Sequence, residues 1–558
     1  VMACRDRPTD TRTHIVDLPD LRRAGVAITE IPLSPLSATH ARSLLADALG
    51  VPTDRVFELA DELTAAANGN PFFMREVLRA LYTEGFVTFE PRAGGFDWDI
   101  ERVKGRLGSA DARDFVRDRI GSLPARTSRA LMVAAFLGTA FDLGALAIAL
   151  EQPPAEVVQD LWPALEAGLV VPLSSDYRFA DALVDAAQSN GAQFDRRSPT
   201  RSSWEVPYAF AHGHVHEAAF ALVAEDARPR EHLRIGRLLL AKSPALNEGG
   251  GNAAVKQLNR GRLAMESRDE RISLARLDLS AGRRAKGAGA LSDAMDFFSC
   301  GLEVLGATEP HDLWFSLAYQ LGECAVTKGA PDLSEQLVDE LIAEARTVLE
   351  RAEACRLHVA MLVMREKLDA AFRVGVQGLS ELGVRVPLDE TLWRAALEQE
   401  RVAIEDKLDG RPIRSLVSSP RVEDPVIVTT MSLLLDLSAP AFLSSIAATR
   451  LVAAVLVRLS IEYGNSEASA YGFAAHGFFL AAETKQFDEA HAFGDLSLAL
   501  EDEFGAGQLA CRVRLVAGSM LHTKRARRVA LFHFQKAVEL AAGAGELFYV
   551  ARAAGQAM

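Results

Sequence analysis

At 558 residues the chain is too long for a single hydrophobic core, so three or more domains are expected. Hydrophobic residues make up 49% and charged residues 24%, a balance that excludes a disordered chain. The net charge of -14 argues against a broad nucleic-acid-binding face, because phosphate contacts require clustered Lys and Arg.

Residues 1 to 105 mix short strands with helices. Val26-Ala27-Ile28-Thr29-Glu30-Ile31 is strand-like, and Pro32 and Pro35 close it. Ser37 then caps a helix from about Ala41 to Leu49. A second helix is predicted over about Asp54 to Ala67. Asn68-Gly69-Asn70-Pro71 breaks it, and a new helix starts at Pro71, where a missing N–H costs nothing. Its main apolar residues are Phe72, Val77, Leu78 and Leu81.

Residues 111 to 224 read as a small helical domain with a β wing. Helices are expected near 112–121, 126–138, 143–150 and 154–167, with Gly168 ending the last. Leu169-Val170-Val171-Pro172-Leu173 is a strand signal, and Tyr208-Ala209-Phe210 is its expected partner. Between them, residues 181–206 are polar and aperiodic, an inserted loop.

Residues 225 to 558 are helical in pattern. A small residue recurs, followed by an aromatic or Gly four later and a small residue three later: Ala294/Phe298/Gly301, Ala371/Gly375/Gly378, Ala490/Gly494/Ser497 and Ala530/Phe534/Ala537. Gly282 sits twelve residues ahead of Ala294, and Trp314, Leu317 and Leu321 read as the first helix of another unit. Ordinary helix packing could produce any one triplet. Four in order favour a solenoid in which small residues let the helices of a hairpin approach and the aromatic fills the gap to the next hairpin.

The five cysteines, Cys4, Cys300, Cys324, Cys355 and Cys511, are far apart and form no CxxC pair. That gives no zinc site or disulfide framework and points to the cytoplasm. The longest apolar candidate, Leu451 to Leu459, is interrupted by Arg458 and reads as a buried helix, not a membrane span of roughly 20 residues. Val1-Met2-Ala3-Cys4 reads like the end of a buried strand, and Met558 falls inside an Ala-rich helical pattern, so the chain reads as a fragment.

No Gly-x-x-x-x-Gly-Lys-Ser/Thr loop, Ser-His-Asp set or HExxH pattern occurs, so no catalytic residues are assigned. What remains are accessory parts of a ligand site. Arg5, in Cys4-Arg5-Asp6 after an apolar strand, is either a phosphate-sensing cation at a strand end or a surface residue. Gly69-Asn70-Pro71 either presents backbone and Pro71 to a ligand or is an ordinary helix start. His212, His214 and His216 would share a face on a strand and could mimic a metal site, but the following Ala218-Ala219-Phe220-Ala221-Leu222 is helical, where they splay. A helix-capping or phosphate-contacting His212 is the preferred reading, and no metal is assigned.

An ordered series of these motifs carries a resemblance. It runs through Arg5-Asp6, Ile31-Pro32-Leu33-Ser34-Pro35-Leu36, Gly69-Asn70-Pro71-Phe72-Phe73, Leu81-Tyr82-Thr83-Glu84-Gly85 and Trp98-Asp99. It continues through Leu123-Pro124, Ala134-Ala135-Phe136-Leu137-Gly138, Phe141-Asp142-Leu143, His232-Leu233-Arg234-Ile235-Gly236-Arg237-Leu238-Leu239, Gln257-Leu258-Asn259-Arg260-Gly261 and Ala281-Gly282-Arg283-Arg284-Ala285. The series resembles the AAA/STAND-type ATPase module of large multi-domain signalling kinases, in which a Ser/Thr kinase domain often precedes the ATPase and TPR-like repeats, a GAF sensor and a histidine kinase follow.

The resemblance implies a mostly α chain. It comprises the end of an α/β nucleotide-binding core (1–35), a helical lid (36–110), a winged-helix-like domain with an insert (111–224, insert 181–206) and TPR-like repeats (225–558). It implies ATP or ADP, with Mg, as cofactor of the full-length protein, with the phosphate loop upstream of Val1 and no tight binding by this chain alone. Nucleotide contacts then fall to Arg5, Gly69, Pro71 and His212. His212 matches the His of a Phe-x-His-Asp motif that touches the β-phosphate of ADP, but Gly213 replaces the Asp and His214 the following Arg. A protein or peptide partner is expected on the repeats, a homo-oligomer is compatible with the pattern, and neither membrane nor nucleic acid is an expected partner. The implied function is the regulatory middle of a signalling kinase, a nucleotide switch. The alternatives are a STAND-type transcriptional regulator and a TPR scaffold with a decayed ATPase.

Overall fold

The computed structural model describes residues 33–91, 95–108, 112–174, 206–242, 252–306, 310–504, 509–544 and 547–557. Arg5, the strand expected over 26–31, nearly all of the 1–35 segment and nearly all of the 181–206 insert lie outside these residues. The chain divides into two compact units, Val1–Gln257 and Leu258–Met558. Both are mainly helical, and the described strands all lie in the first.

The first unit opens with three helices: α1 (Ala38–Leu49), α2 (Phe57–Ala67) and α3 (Pro71–Thr83). Ser37 caps α1 by accepting from the His40 N–H, so the helix starts three residues ahead of its expected position. α2 starts three residues late. Pro52 to Arg55 form a turn instead, with the Arg55 N–H donating to the Pro52 carbonyl at 3.0 Å. A hairpin follows, β1 (Val87–Glu90) paired antiparallel with β2 (Gly95–Trp98). Asp99 then caps α4 (Ile100–Leu107) with its carboxylate.

Next come α5 (Ala112–Gly121), α6 (Ala125–Leu137), α7 (Leu143–Leu150) and α8 (Pro154–Glu166), each within a residue or so of its predicted span. A three-stranded antiparallel sheet accompanies them, with β5 (Pro207–Phe210) between β3 (Ala140–Asp142) and β4 (Val170–Pro172). The β4–β5 pairing sets Val170 opposite Phe210. β3 is an addition to the expected pair of strands. Asp142 ends it and caps α7 by accepting from the Ala145 N–H at 3.1 Å. α9 (Gly213–Ala221) follows β5, and α10 (Arg228–Lys242), which its sequence placed among the repeats, packs on α7 in the first unit. α11 (Ala253–Arg260) contains the division between the units. One continuous core, including Leu63, Val77, Leu131, Phe136, Leu161 and Tyr208, underlies the first unit.

The second unit is a run of helical hairpins: α12 (Arg268–Gly287) with α13 (Leu291–Leu305), α14 (His311–Lys328) with α15 (Pro331–Glu344), and α16 (Val348–Met364) with α17 (Leu368–Glu381). The long α18 (Glu390–Leu408), then α19 (Pro425–Asp436), α20 (Ser438–Ser444) and α21 (Ile446–Tyr463), interrupt the regular pairing. α22 (Glu467–Phe479) with α23 (Phe487–Phe504), and α24 (Leu509–Leu521) with α25 (Arg527–Ala544), resume it, and α26 (Leu547–Ala557) follows.

Small residues let the helices of a hairpin approach, as expected, but the aromatic faces the other way. A Cβ on Gly282 would overlap the Phe298 ring, and one on Gly518 would lie 2.9 Å from the Phe534 ring. A Cβ on Gly477 would lie 3.1 Å from Phe493 Cβ. In all three hairpins the glycine of the first helix receives an aromatic sixteen residues later, on the second helix of the same hairpin. The aromatic therefore closes its own hairpin instead of bridging to the next. In the first triplet the last small residue admits the neighbour: a Cβ on Gly301 would press on Leu317 of α14 at 2.9 Å.

Among the described residues one stretch, Pro425–Leu443, is long and apolar enough to cross a membrane, and 56% of its most apolar window is buried inside the protein. The chain turns from α19 into α20 within it, and Met431, Leu433, Leu434 and Leu437 belong to the core of the second unit.

Candidate functional site

The sequence singled out Gly69-Asn70-Pro71 and His212 from segments far apart in the chain, and the fold brings them together. α2 ends in two successive left-handed residues, Asn68 (φ 50°) and Gly69 (φ 67°). Gly69 is required twice over. Its φ is costly for any residue with a side chain, and a Cβ there would lie 2.9 Å from the Leu36 carbonyl oxygen and from Pro35 Cβ. The Leu36 N–H donates to the Gly69 carbonyl at 2.8 Å, which ties the Pro35-Leu36 segment to the turn.

Asn70 caps α3, its Oδ1 accepting from the Phe72 N–H at 3.0 Å, and Pro71 occupies the first helical position with its ring exposed. The buried stripe of α3 is Phe73, Met74, Val77 and Leu81. Phe72 and Leu78, expected among the main apolar positions, are only half-buried.

Phe72 faces His212. Their rings stack with centroids 4.2 Å apart and planes 8° from parallel. Phe73 packs on His214 at 4.4 Å, and the two imidazoles lie 5.0 Å apart. His212 is the N-cap of α9, with Nδ1 accepting from the His214 N–H at 3.3 Å. His214 Nδ1 is 3.0 Å from Glu217 Oε2. His216 turns elsewhere, its Nε2–H donating to the Ala135 carbonyl at 2.9 Å. The three imidazoles therefore divide two and one, as a helical start after His212 requires.

A buried ion pair reinforces the same junction. Glu76, one turn into α3, is buried and pairs with the Arg119 guanidinium of α5. Arg119 also donates to the Ala167 carbonyl, at the end of α8 and beside β4. The guanidinium thus ties α3 to both α5 and α8. Arg75, largely exposed, lies with its guanidinium carbon 5.7 Å from the Phe72 ring centre and is a further cation beside the stack.

A phosphate-bearing ligand suits this chemistry: an imidazole, an arginine, two adjacent helix N-termini and an exposed proline ring. Asn70 and His212, however, already take up N–H groups at those two helix starts, so side chains would have to supply most of the recognition.

No family model matches the chain. Over 528 residues it is 20% identical to the Hybrid signal transduction histidine kinase G of Dictyostelium discoideum, an alignment covering 85% of this chain and 15% of that protein. The chain thus spans about 15% of the length of that relative. Among solved structures it is similar to a Signal Transduction ATPase with Numerous Domains (STAND) protein with a tetratricopeptide repeat sensor from Pyrococcus horikoshii. The identity is 11% and the TM-score 0.33, over 92% of this chain and 67% of that one.

Sequence reasoning did not anticipate Glu76 or Arg119. Glu76 carries a visible signal, a carboxylate adjoining Val77 and three residues past Phe73 on the apolar side of a helix. Arg119 carries none, because its partners lie 43 and 48 positions away.

Proposed function

We propose that the chain is the regulatory region of a multi-domain signalling kinase, in which an adenine-nucleotide switch is coupled to helical protein-interaction repeats. The observation that carries this reading is the Phe72–His212 stack, which sets the Gly69-Asn70-Pro71 turn against the His212 cap. The similarity to a signal transduction histidine kinase over 85% of the chain supports the signalling context.

In this reading the lid is residues 36–110 and the winged-helix-like domain is 111–224. Bound ADP is held between them, with Pro71 against the base and His212 near a phosphate oxygen. Arg5 would sense the phosphate from the α/β core, and Mg would arrive with the nucleotide. Gly213 stands at the first position of α9, where a carboxylate would otherwise favour the helix dipole. Its lack of a side chain leaves the closed form held by the ring stack and by Glu76–Arg119. Exchange of ADP for ATP, or a partner on the repeats, shifts the population toward an open form by binding that form better.

The test is the release rate of a fluorescent ADP analogue from the whole protein. Phe72→Ala and Pro71→Ala are each expected to speed release by about tenfold, the loss of roughly 1.4 kcal/mol of contact. Release rates unchanged in both variants would remove the nucleotide role from this junction.

A further inference from the structure

The second unit holds a cavity of its own, of about 100 Å³, opening among α20, α21, α22, α24 and α26. Its walls are apolar: Phe442, Leu443, Phe478, Phe479, Leu515 and Val516. Phe442 and Leu443 stay 39% and 53% exposed, so they mark the mouth.

The polar groups in the lining sort themselves by their partners. Thr449 Oγ1 donates to the Ser445 carbonyl at 2.9 Å, and Ser519 Oγ to the Leu515 carbonyl at 2.9 Å, so both are committed to their own helices. Ser438 differs. Its side chain is buried, and the neighbour of its Oγ is the Tyr471 hydroxyl, so these two hydroxyls meet at one point of the lining. Burial pushes that phenol up, and Ser438, Arg512 and Arg552 pull it partly back, so positive potential reaches this part of the lining. Arg552, exposed on α26, holds its guanidinium 4.6 Å over the Phe442 ring. No acidic side chain lines the cavity among the described residues.

These features select one ligand chemistry. Aliphatic and aromatic walls take hydrocarbon. One guanidinium with two hydroxyls suits a single carboxylate and is too few donors for a phosphate dianion. The volume is below that of the roughly 150 Å³ apolar cavity that accepts benzene, so a thin chain fits and a fused-ring body does not. We propose that this cavity binds a free amphipathic monocarboxylate, with an unbranched tail between the Phe478 and Leu515 walls and the carboxylate held by Arg552, Tyr471 and Ser438. The proposal is independent of the nucleotide reading and stands or falls without it.

Calorimetric titration of the 558-residue chain with sodium hexanoate, octanoate and decanoate, below micelle-forming concentrations, tests it. One saturable site is expected, tightening by roughly fourfold per added methylene until the cavity is full. Octylamine, with the same tail and the opposite charge, binds at least about tenfold more weakly than octanoate. Arg552→Gln loses about tenfold in octanoate affinity while leaving octanol unchanged. Ala439→Phe fills the cavity and abolishes binding, with an unchanged thermal transition as its folding control. If Ala439→Phe does not fold, Arg552→Gln, on the surface, decides alone. A flat titration into the millimolar range overturns the proposal. So does equal binding of octylamine and octanoate, octanoate binding that survives Ala439→Phe in the folded protein, or capture of an apolar peptide or lipid vesicle where octanoate fails.

Discussion

The two units hold their helices together by different physics. In the first, the junction of α3 with α5, α8 and α9 depends on a few discrete contacts: the Phe72–His212 stack, the buried Glu76–Arg119 pair and the Arg119 bond to the Ala167 carbonyl. In the second, one fit repeats, a glycine of one helix against an aromatic of the next at Gly282/Phe298, Gly477/Phe493 and Gly518/Phe534. A buried ion pair is either made or broken, and a broken one leaves a charge in low dielectric. Interdigitated apolar surfaces share the energy among many weak contacts, each of which gives a little. The α3 junction therefore depends on one buried joint, whereas the glycine–aromatic fits distribute their load over many contacts.

The largest effect should come from that one joint. Arg119→Ala leaves the buried Glu76 carboxylate without its main partner and is expected to cost about 3–5 kcal/mol, read by denaturant unfolding of the first unit. Pairing Arg119→Met with Glu76→Met should recover most of the loss. A single-variant cost below about 1 kcal/mol would reduce the pair to a surface contact.

The second unit contains a buried carboxyl, and it sharpens the contrast by having no ion-pair partner. Asp278 is fully buried, with Asn259 Nδ2 donating to its Oδ1 at 2.6 Å, while Asp278 Oδ2 and Asn259 Oδ1 have no partner. Burial pushes the carboxyl up to about 8, against the smaller opposing influence of Asn259 and Arg262. The folded state therefore holds a proton that the unfolded chain releases near pH 4. Stability from this group is complete below about pH 4 and is lost as pH climbs through about 8, a change on the order of a few kcal/mol. Asp278→Asn should flatten that part of the stability–pH profile and be more stable than the parent at pH 8. A parent profile already flat between pH 4 and 8 would count against a protonated Asp278.

A smaller effect is expected where the glycine–aromatic fit is overfilled. Gly282→Ala drives a methyl into the Phe298 ring and should destabilise the second unit by about 1–3 kcal/mol. Adding Phe298→Leu should recover part of the loss, because the smaller side chain can yield. If Gly282→Ala were neutral, the recurring glycine would be a matter of composition and not of fit.

Much of this was legible because it is local. Ser37 accepts from the His40 N–H of the helix it opens and Pro71 takes the first position of α3, so the cap announces the first helix and the proline places the start of the second. The β4–β5 pair was legible from two short apolar runs. β3 was not, because three residues with only Phe141 buried carry no period. Gly282 was visible, but Gly477, Gly518 and the direction of the aromatic were not, since spacing alone does not say which neighbour a ring faces. The junction was half legible. The turn and His212 stand out by residue type, whereas the contact between them and the Arg119 tie exist only once the chain has folded back on itself.

The smallest effect bears most directly on how the first unit works. His212 does two things: its Nδ1 caps α9, and its ring covers Phe72. Replacing it by Ala would lose both, about 1 kcal/mol for the cap and about 0.5–1.5 kcal/mol for the stack, and the two could not be told apart. His212→Asn keeps a capping acceptor and removes the ring, and Phe72→Leu keeps apolar volume and removes the other ring. A double-mutant cycle on these two substitutions isolates the stack. A coupling of about 0.5–1.5 kcal/mol is expected, large enough to favour the closed junction and small enough for a ligand to overcome. A coupling near zero would mean the rings are neighbours without being partners. The Gly69-Asn70-Pro71 turn and His212 would then share a place in the fold but no energy, and a switch that depends on their contact would have nothing to act through.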